Sequence, residues 1–524
     1  MADGLTGLAS AEATGLGAPS SAQQARLPRQ SYREILKSSA MIGGSAAINV
    51  CIGIVRTKAM AVLLGPAGYG LMGAYTLIID LARNVAQLGL SASGVRQIAE
   101  STASNDTARI ARTVTVLRRL SLACGLLGAA LLAAFSGPIS TLTFGSDQHA
   151  GSVAWLSLAV LFSVVAGNQG ALLQGMRRIG DLSKLAVLGG LLGTLVGVPM
   201  VYFLGEDGLA PTLVVVAACS VATSWWYSRR IPIVAPALSR ADVARESAGL
   251  LKLGMAFLAS SLLMIGAAYV VRIIVLRKAG LDAAGAYHAA WTLGGLYIGF
   301  VLQALGTDFY PRLVGVAQDN VQCNRLVNEQ AQVSLLLAVP GVLLTLTLAP
   351  LVVSLFYSSE FAPAVAVLRW ICLGMALRVL TWPIGFIVVA KNRQVLFVTI
   401  ELAWTTVNVG LTWWCVEAFG VNGAGIAFFG SYVFHALLVY PIVRRLSGFR
   451  WSAVNVKTAS GCFALMAAVF IGLQVLSSGV ATAFGLLATV LSGYACARAL
   501  VKLAAPQRLP RSVARLLQLG GVSR

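Results

Sequence analysis

Stretches of about 20 apolar residues recur along almost the whole chain, separated by short polar connections. An α-helix needs that length to cross about 30 Å of hydrocarbon at a rise of about 1.5 Å per residue. Only 11% of the 524 residues are charged, 57% are hydrophobic, and the mean hydropathy is +0.80. Soluble domains carry about 25% charged residues, so this chain cannot cover itself with a water-compatible surface. We therefore predict an all-α polytopic membrane protein.

Fourteen membrane spans are predicted. The last two are separated only by "SSGVA", so they form two spans or one re-entrant hairpin, and twelve full spans is the alternative count. The predicted spans are residues 38–64, 71–97, 114–136, 152–175, 184–204, 209–228, 251–276, 286–310, 332–357, 364–390, 395–418, 424–443, 456–477 and 480–502.

The basic residues favour one side of these spans. The net charge is +20, but Lys and Arg concentrate in alternate connections, whereas the others, such as "GPAGYG", "GEDG" and "FGVNG", are short and poor in them. This positive-inside pattern predicts that both termini are cytoplasmic, and it explains the charge without nucleic acid as a partner. Residues 1–31 lack the features of a signal peptide and are predicted to be a disordered cytoplasmic tail. Residues 504–524 are predicted to be a basic cytoplasmic tail.

An internal repeat of about 215 residues divides the chain. Lys37 and Lys252, Arg178 and Arg393, and Gly205 and Gly420 are all 215 positions apart, and Arg56 and Arg272 are 216 apart. Each copy holds six spans, so the copies have the same orientation, as in transporters whose substrate path runs between two lobes. A duplicated bundle without a transport role is the alternative. The predicted parts are an N-lobe (32–230), a cytoplasmic linker (231–250), a C-lobe (251–446) and an additional helix pair (453–503).

Two arginines are predicted near the middle of the membrane, one in each lobe. Arg56 lies nine residues before Gly65 and Arg272 eight before Gly280, which places both about 13 Å deep. A charge there costs about 2.5–3.5 kcal/mol on insertion scales, so such residues usually face a wet interior and serve function. Lys58 either faces the same cavity or extends outward to the interface.

The second predicted span carries a polar stripe on one helical face. Thr76, Asp80, Arg83, Gln87 and Ser91 recur at spacings of three or four residues, and Asn84 lies beside them. Asp80 and Arg83 can form an ion pair. Such a pair by itself could serve only to let the helix insert, but the length of the stripe favours a cavity lining.

The later spans hold further polar groups. Span eight carries Gln303 and Asp308, span ten carries Arg378, and span eleven carries Glu401. Arg378 contacts either a ligand or a structural partner, such as Glu401 or a carbonyl group. Basic residues outnumber acidic ones within the spans, which indicates an anionic cargo, and a pyrophosphate would suit several guanidinium groups.

Several motifs of enzymes are absent from the sequence. It contains no GxxxxGK[ST] motif for ATP, no HExxH motif, and only three scattered histidines. We therefore predict neither an enzyme nor a protein with a metal or cofactor.

Three segments resemble a known family: "VRTKAMAVLLGPAGYGLMGAY" (Val55–Tyr75), "QGMRRIGDLSKLAVLGG" (Gln174–Gly190) and "FGVNGAGIAFF" (Phe419–Phe429). They resemble the Wzx-type polysaccharide transporters, the O-antigen and common-antigen flippases of the multidrug/oligosaccharidyl-lipid/polysaccharide superfamily. The resemblance covers roughly residues 32–446. The long N-terminal tail and the final helix pair depart from the family pattern.

The resemblance implies two six-helix lobes around a cationic cavity, in the inner membrane of a bacterium. The implied cargo is an undecaprenyl-pyrophosphate-linked oligosaccharide, an O-antigen, common-antigen or exopolysaccharide unit that moves from the cytoplasmic to the periplasmic leaflet. A glycan polymerase or chain-length regulator is an expected partner besides membrane lipid. By this resemblance Arg56, Arg83 and Arg272 correspond to the family's basic cavity residues. Proton or sodium coupling would involve Asp80 or Glu401.

The predicted site therefore has two parts. The substrate-binding residues are Arg56, Lys58, Arg83, Asn84, Gln87, Arg272, Gln303 and Arg378, and the coupling-ion residues are Asp80 and Glu401. Two alternatives to a flippase stay open. A cation-coupled multidrug antiporter of the same superfamily would need acids to dominate the cavity, and a membrane scaffold for glycan assembly would tolerate loss of the arginine charges.

Overall fold

The computed structural model describes the backbone of residues 28–104, 106–234 and 236–503, and the side chains from residue 48 onward except at 103, 256, 257, 259, 260, 307 and 308. Most of the predicted N-terminal tail and all of the predicted C-terminal tail lie outside these residues. Within them the chain forms α-helices and short 3₁₀ turns, and no β-strand. The α-helices are α1 (Pro28–Gln87), α2 (Leu90–Ala103), α3 (Thr107–Ala134), α4 (Ser136–Phe144), α5 (Ala150–Gly175), α6 (Ile179–Leu204), α7 (Leu209–Ser228), α8 (Arg240–Ala279), α9 (Leu281–Gly315), α10 (Asn320–Thr347), α11 (Ala349–Phe356), α12 (Ala364–Ala390), α13 (Gln394–Phe419), α14 (Val421–Ser447), α15 (Ala453–Val475) and α16 (Ser478–Leu503).

The helices confirm a polytopic membrane protein. Among the described residues, eleven segments are long and apolar enough to cross a membrane. Two of these segments, Ile48–Gln87 and Ile179–Ser228, each contain two membrane-length helices, so the eleven hold thirteen helices. The long helix α8 is a fourteenth, at the position of the seventh predicted span.

A sharp bend divides α1 at Gly65, whose φ of 63° and ψ of −175° are accessible almost only to glycine. We name the part before Gly65 α1a and the part after it α1b. Gly280, between α8 and α9, has a backbone conformation similar to that of Gly65, with φ 90° and ψ 177°. The first helix pair of each lobe is therefore joined by the same glycine turn.

The internal repeat is visible in the backbone. Three pairs of residues 215 positions apart share a positive φ: Gly65 and Gly280, Arg177 and Asn392, and Gly205 and Gly420. Helices α6 and α13 are also 215 positions apart at both ends. Because positive φ is rare away from glycine, its recurrence at Arg177 and Asn392 reflects one conserved chain path in both copies.

Helix packing follows the same repeat. In the N-lobe α5 packs against α1, α3 and α7, while α1 packs against α6. In the C-lobe α12 packs against α9, α10 and α14, while α8 packs against α13. These are equivalent pairs, and they give two six-helix lobes. The helices α15 and α16 lie outside the repeat and pack on α10.

The second predicted span, 71–97, is wrong at its C-terminal end. Helix α1 stops at Gln87, and Leu88 and Gly89 have φ values of 46° and 69° before α2 begins. At this break the Gly89 backbone touches that of Gly254 on α8. A Cβ atom on either glycine would overlap the backbone of the other segment. The close contact requires a turn that hydropathy alone does not reveal. The predicted span 332–357 is likewise interrupted, at Leu348 between α10 and α11.

The two lobes meet at both ends of the bundle. We name the end that carries the turns at Gly65, Gly205, Gly280 and Gly420 the Gly65 end. Here the α1 bend packs on the start of α9, so closely that a Cβ atom on Gly285 would lie 1.9 Å from the Pro66 carbonyl oxygen. At the opposite end α2 packs against α8.

Candidate substrate site between the two lobes

The candidate site contains an ion pair on α1b. Asp80 Oδ1 lies 3.2 Å from Arg83 Nη2, one helical turn apart, and both side chains are about 40% exposed (40% and 39%). Arg83 Nε is buried and has no hydrogen-bond partner. The guanidinium group therefore keeps an unused donor. A second anion, such as a phosphate, could accept from it.

Arg272 of the C-lobe approaches the same acid. It lies on α8, is partly buried, and is within electrostatic range of Asp80, Tyr69 and Tyr287. Asp80 thus pairs with Arg83 of its own lobe and lies within electrostatic range of Arg272 of the other lobe. The half-buried ring of His288, 5.3 Å from that of Tyr69, lies within electrostatic range of Arg272 as well.

Arg56 lies on α1a, the first part of helix α1. Its side chain is exposed and lies within electrostatic range of Tyr69. Its Nη1 lies 3.8 Å from the position that a Cβ atom on Gly193 of α6 would take, so Arg56 packs beside α6. Of the three arginines that the family resemblance indicated, Arg83 therefore lies at Asp80, Arg56 near Tyr69, and Arg272 within range of both.

A small cavity of about 20 Å³ lies beside Arg272, between α1b, α8 and α9. It is lined by Gly70, Gly73, Tyr269, Tyr287 and His288 among others. This volume suits one water molecule. The lobes are therefore in close contact on the Gly65 side of the arginines, which closes that side to a large ligand.

Two polar residues of the predicted stripe are bonded within the protein. Gln87 Nε2 donates to Ser91 Oγ (2.8 Å), which donates to Asn168 Oδ1 of α5 (2.9 Å). These two hydrogen bonds connect α1b, α2 and α5 across the break at Leu88. The Asn84 amide donates to the Asp80 carbonyl oxygen (2.8 Å) and keeps its other hydrogen-bonding groups available.

Lys58 reaches the other lobe. Its ammonium group donates to the Ser354 carbonyl oxygen (2.6 Å) and to that of Tyr357, at the end of α11. In this conformation the ammonium group is bonded to the C-lobe and does not point outward to the interface.

A second polar cluster lies within the C-lobe. Arg378 of α12 is within electrostatic range of Glu401 on α13 and of Tyr432 and His435 on α14. Arg378 and Glu401 form no ion pair within 4 Å in the described structure. The rings of Trp404 and Tyr432 are 5.4 Å apart, and Trp404 Nε1 and His435 Nδ1 are buried without partners. Glu401 is therefore separate from the three arginines.

The remaining predicted residue of span eight is Gln303. It is exposed on α9, 22 residues beyond Leu281, which places it about 33 Å along the helix axis from the Gly65 end. No contact among the described residues joins its side chain to Arg56, Arg83 or Arg272. The Asp308 side chain is outside the described part.

Sequence reasoning missed the aromatic wall of the site. Tyr69 and Tyr287 are buried, and both lie within electrostatic range of Arg272. Tyr69 follows the "GPAG" turn, and an aromatic residue after a glycine turn carries no signal of a binding role. Only the packing of α1b against α9 places these two rings beside Arg272.

Comparison with known proteins now adds to this geometry. The family model described as "Polysaccharide biosynthesis protein" matches residues 59–366, more than half of the chain. The chain belongs to the polysaccharide biosynthesis protein family. It is 21% identical over 405 residues to the lipid III flippase of Escherichia coli (strain K12), a match that covers 76% of this chain and 95% of that protein.

Solved structures give the fold of this family member. The inward closed conformation of the lipid II flippase MurJ matches with a TM-score of 0.63 and 15% identity, over 88% of this chain and 99% of that one. An inward-facing multidrug resistance MATE family transporter of the MOP superfamily matches with a TM-score of 0.62 and 16% identity, over 77% and 98%. The chain therefore shares its fold with these two proteins. The family match and the lipid III flippase relative agree with the prediction that it is not an enzyme.

Proposed function

We propose that this protein is a flippase for an undecaprenyl-pyrophosphate-linked oligosaccharide. It would move an O-antigen, common-antigen or exopolysaccharide unit from the cytoplasmic to the periplasmic leaflet of a bacterial inner membrane. The family, the transporter fold and the similarity to a lipid III flippase support this function.

The observation that carries the proposal is an excess of cations between the two lobes. Arg56, Arg83 and Arg272 come from three helix segments, α1a, α1b and α8. Arg83 pairs with Asp80, Arg56 lies within electrostatic range of Tyr69, and Arg272 lies within range of both. A pyrophosphate carries several acceptor oxygens and suits such a set of planar guanidinium groups. A single aspartate cannot neutralise three cations, so the site favours an anionic ligand.

In this proposal the pyrophosphate takes the place of Asp80 as the partner of Arg83. The lobes then rock about the bound headgroup, so that the site opens to one leaflet at a time. Asn84 offers its remaining amide hydrogen and its side-chain oxygen to a sugar, and the polyprenyl chain stays in the lipid. Asp80, or Glu401 in the C-lobe cluster, is the proposed site for a coupling proton or sodium ion.

Complementation of a flippase-null strain tests the function. Wild type is compared with Arg83→Ala and with the double variant Arg56→Ala/Arg272→Ala, at equal protein levels in the membrane. Arg96→Ala is the matched control, because Arg96 is exposed on α2 and its ion pair in the described part of the chain is with Glu100 (2.9 Å) on the same helix. The readout is lipid-linked oligosaccharide in the cytoplasmic leaflet against polysaccharide on the surface.

We expect rescue by wild type and Arg96→Ala, and a loss of at least tenfold in the cavity variants. Rescue by every variant would remove the arginines from the mechanism and favour the scaffold alternative. Failure of wild type in strains with several different glycans, together with cation-driven drug efflux, would favour the antiporter. The MATE-like fold is the observation behind that second candidate.

A further inference from the structure

Each lobe contains a short helix at the Gly65 end, and each of these helices is contacted by a basic residue of the other lobe. The helices are α4, which follows α3 in the N-lobe, and α11, which follows α10 in the C-lobe. They occupy equivalent places in the repeat. The last carbonyl groups of any helix lack partners within the helix and attract cations.

Lys58 forms the first contact. It lies on α1a of the N-lobe, and its ammonium group donates to the carbonyl oxygens of Ser354 and Tyr357 at the C-terminus of α11. Beside it, the buried hydroxyl groups of Tyr69 and Tyr357 lie 3.4 Å apart, again one from each lobe. Edge-to-face packing of Tyr69 on Phe361, with centroids 5.6 Å apart, extends this contact.

Arg277 forms the second contact in the opposite direction. It lies on α8 of the C-lobe, and its Nη1 donates to the carbonyl oxygens of Thr141 (2.6 Å) and Leu142 (3.4 Å) in the last turn of α4. Beside it, the buried hydroxyl groups of Thr143 and Tyr269 lie 2.7 Å apart, one from each lobe.

The two contacts are reciprocal, but the basic residues do not occupy equivalent positions in the repeat. Lys58 lies seven residues before Gly65, and Arg277 lies three before Gly280. Each is carried by the first span of its own lobe and binds the short helix after the third span of the other lobe. The arrangement therefore follows from how the lobes face each other.

We propose that Lys58 and Arg277 are two reciprocal latches that hold the Gly65 end closed. Each latch is a cation on the carbonyl end of a short helix, so it forms only when the lobes meet at this end. Opening toward this side breaks both latches and returns both cations to solvent. The latches set the balance between the two access states, and this role holds for any cargo.

Electron spin resonance on the full chain, purified in nanodiscs without cargo, tests the proposal. Spin labels are placed at Asp207→Cys in the N-lobe and Asp282→Cys in the C-lobe, two exposed residues of the Gly65 end, with the native cysteines replaced by serine. The variants are Lys58→Met, Arg277→Met and their combination. The matched control is Lys278→Met, since Lys278 adjoins Arg277 but binds Glu417 and Trp413 within its own lobe.

We expect each latch variant to raise the open-to-closed ratio about three- to tenfold, and the double variant to multiply the two effects. Lys58→Arg should restore the closed distance, because it keeps a cation in place. Equal distance distributions in the latch variants and Lys278→Met would overturn the proposal. If Lys58→Met does not fold, Arg277→Met decides alone, because Arg277 is exposed. Since no cargo is present, the result is independent of the flippase proposal.

Discussion

At the scale of single residues, the site has more cations than one acid can balance. Asp80 pairs with Arg83 at 3.2 Å and lies within electrostatic range of Arg272 from the other lobe. Without a ligand, Asp80 is the counter-charge that makes this group of arginines tolerable between two lobes. We therefore expect Asp80 to compete with the pyrophosphate for the guanidinium groups.

Removing that competitor should strengthen headgroup binding. Asp80→Asn should bind undecaprenyl pyrophosphate about three- to tenfold more tightly, because Arg83 loses its partner, while transport slows because release becomes harder. Native mass spectrometry of the purified protein with this lipid measures the affinity. Glu100→Gln is the control, since Glu100 is exposed and pairs with Arg96 outside the site. Unchanged or weaker binding in Asp80→Asn would contradict the competition.

A residue outside the membrane gives a prediction on pH. Asp319 caps α10, and its carboxylate accepts from the backbone N–H groups of Gln322 (3.1 Å) and Val321 (2.9 Å). These bonds to the charged form, the one from Gln322 first, lower the pKa of Asp319 below its ordinary 3.8. The cap is therefore fully stabilising above pH 3.8 and is lost as the pH falls through the lower pKa of the folded protein.

Thermal unfolding of wild type and Asp319→Asn at several pH values checks this. Asparagine also caps helices but does not titrate. We expect the Tm of wild type to exceed that of Asp319→Asn by on the order of 1 °C at neutral pH. This difference should shrink as the pH falls below 3.8. A difference that stays constant down to pH 3 would show that the Asp319 charge does not stabilise the cap.

At the scale of helices, the contact between the α1 bend and α9 depends on two glycines. A Cβ atom on Gly70 would lie 2.4 Å from the Leu281 carbonyl oxygen, and one on Gly285 would lie 1.9 Å from that of Pro66. Backbone atoms cannot rotate away as side chains can. A methyl group at either position must therefore separate the two helices.

Gly285→Ala should weaken closure at the Gly65 end. We expect Tm to fall by several degrees, because overpacking costs about 1–3 kcal/mol. Gly295→Ala on the same helix is the control, since a Cβ atom there would meet no other helix within 4 Å. It should leave Tm unchanged or slightly raised, because alanine favours helix. Equal Tm values for the two variants would mean that this contact does not limit stability.

At the scale of the whole molecule, two similar lobes are joined by one connection between α7 and α8 and by contacts at both ends of the bundle. At the Gly65 end these include the glycine contacts and both cation contacts. At the opposite end Thr113 of α3 donates to Glu246 of α8 (2.6 Å). The lobes should therefore recognise each other without the connection.

A chain cut after Ala237 should assemble from two separately expressed halves. We expect the tagged N-terminal half to copurify the C-terminal half from membranes and to retain at least a tenth of the transport. Halves that also carry Lys58→Met and Arg277→Met should copurify less, because both cation contacts are lost. No copurification of the unmodified halves would show that the connection itself holds the lobes together.

The sequence predicted the fold class, the repeat and the position of most helices, because each of these is encoded locally. An apolar segment of membrane length must form a helix, since its backbone groups find no other partners in lipid. A duplicated segment with the same spacing of Gly, Arg and Lys repeats its turns, as Gly65 and Gly280 do. The Asp80–Arg83 pair was predictable for the same reason, because both residues lie on one helix.

Only the tertiary structure decided which groups meet across the lobes. The break at Leu88 follows from the contact of Gly89 with Gly254, 165 residues away. The partners of Lys58 and Arg277 are backbone carbonyl groups, which every residue has and no sequence pattern marks. Hydropathy predicts that a segment crosses the membrane, because the free energy of transferring the segment into lipid depends on its own residues. The partner of a charge depends on the facing helix, so it follows only from packing.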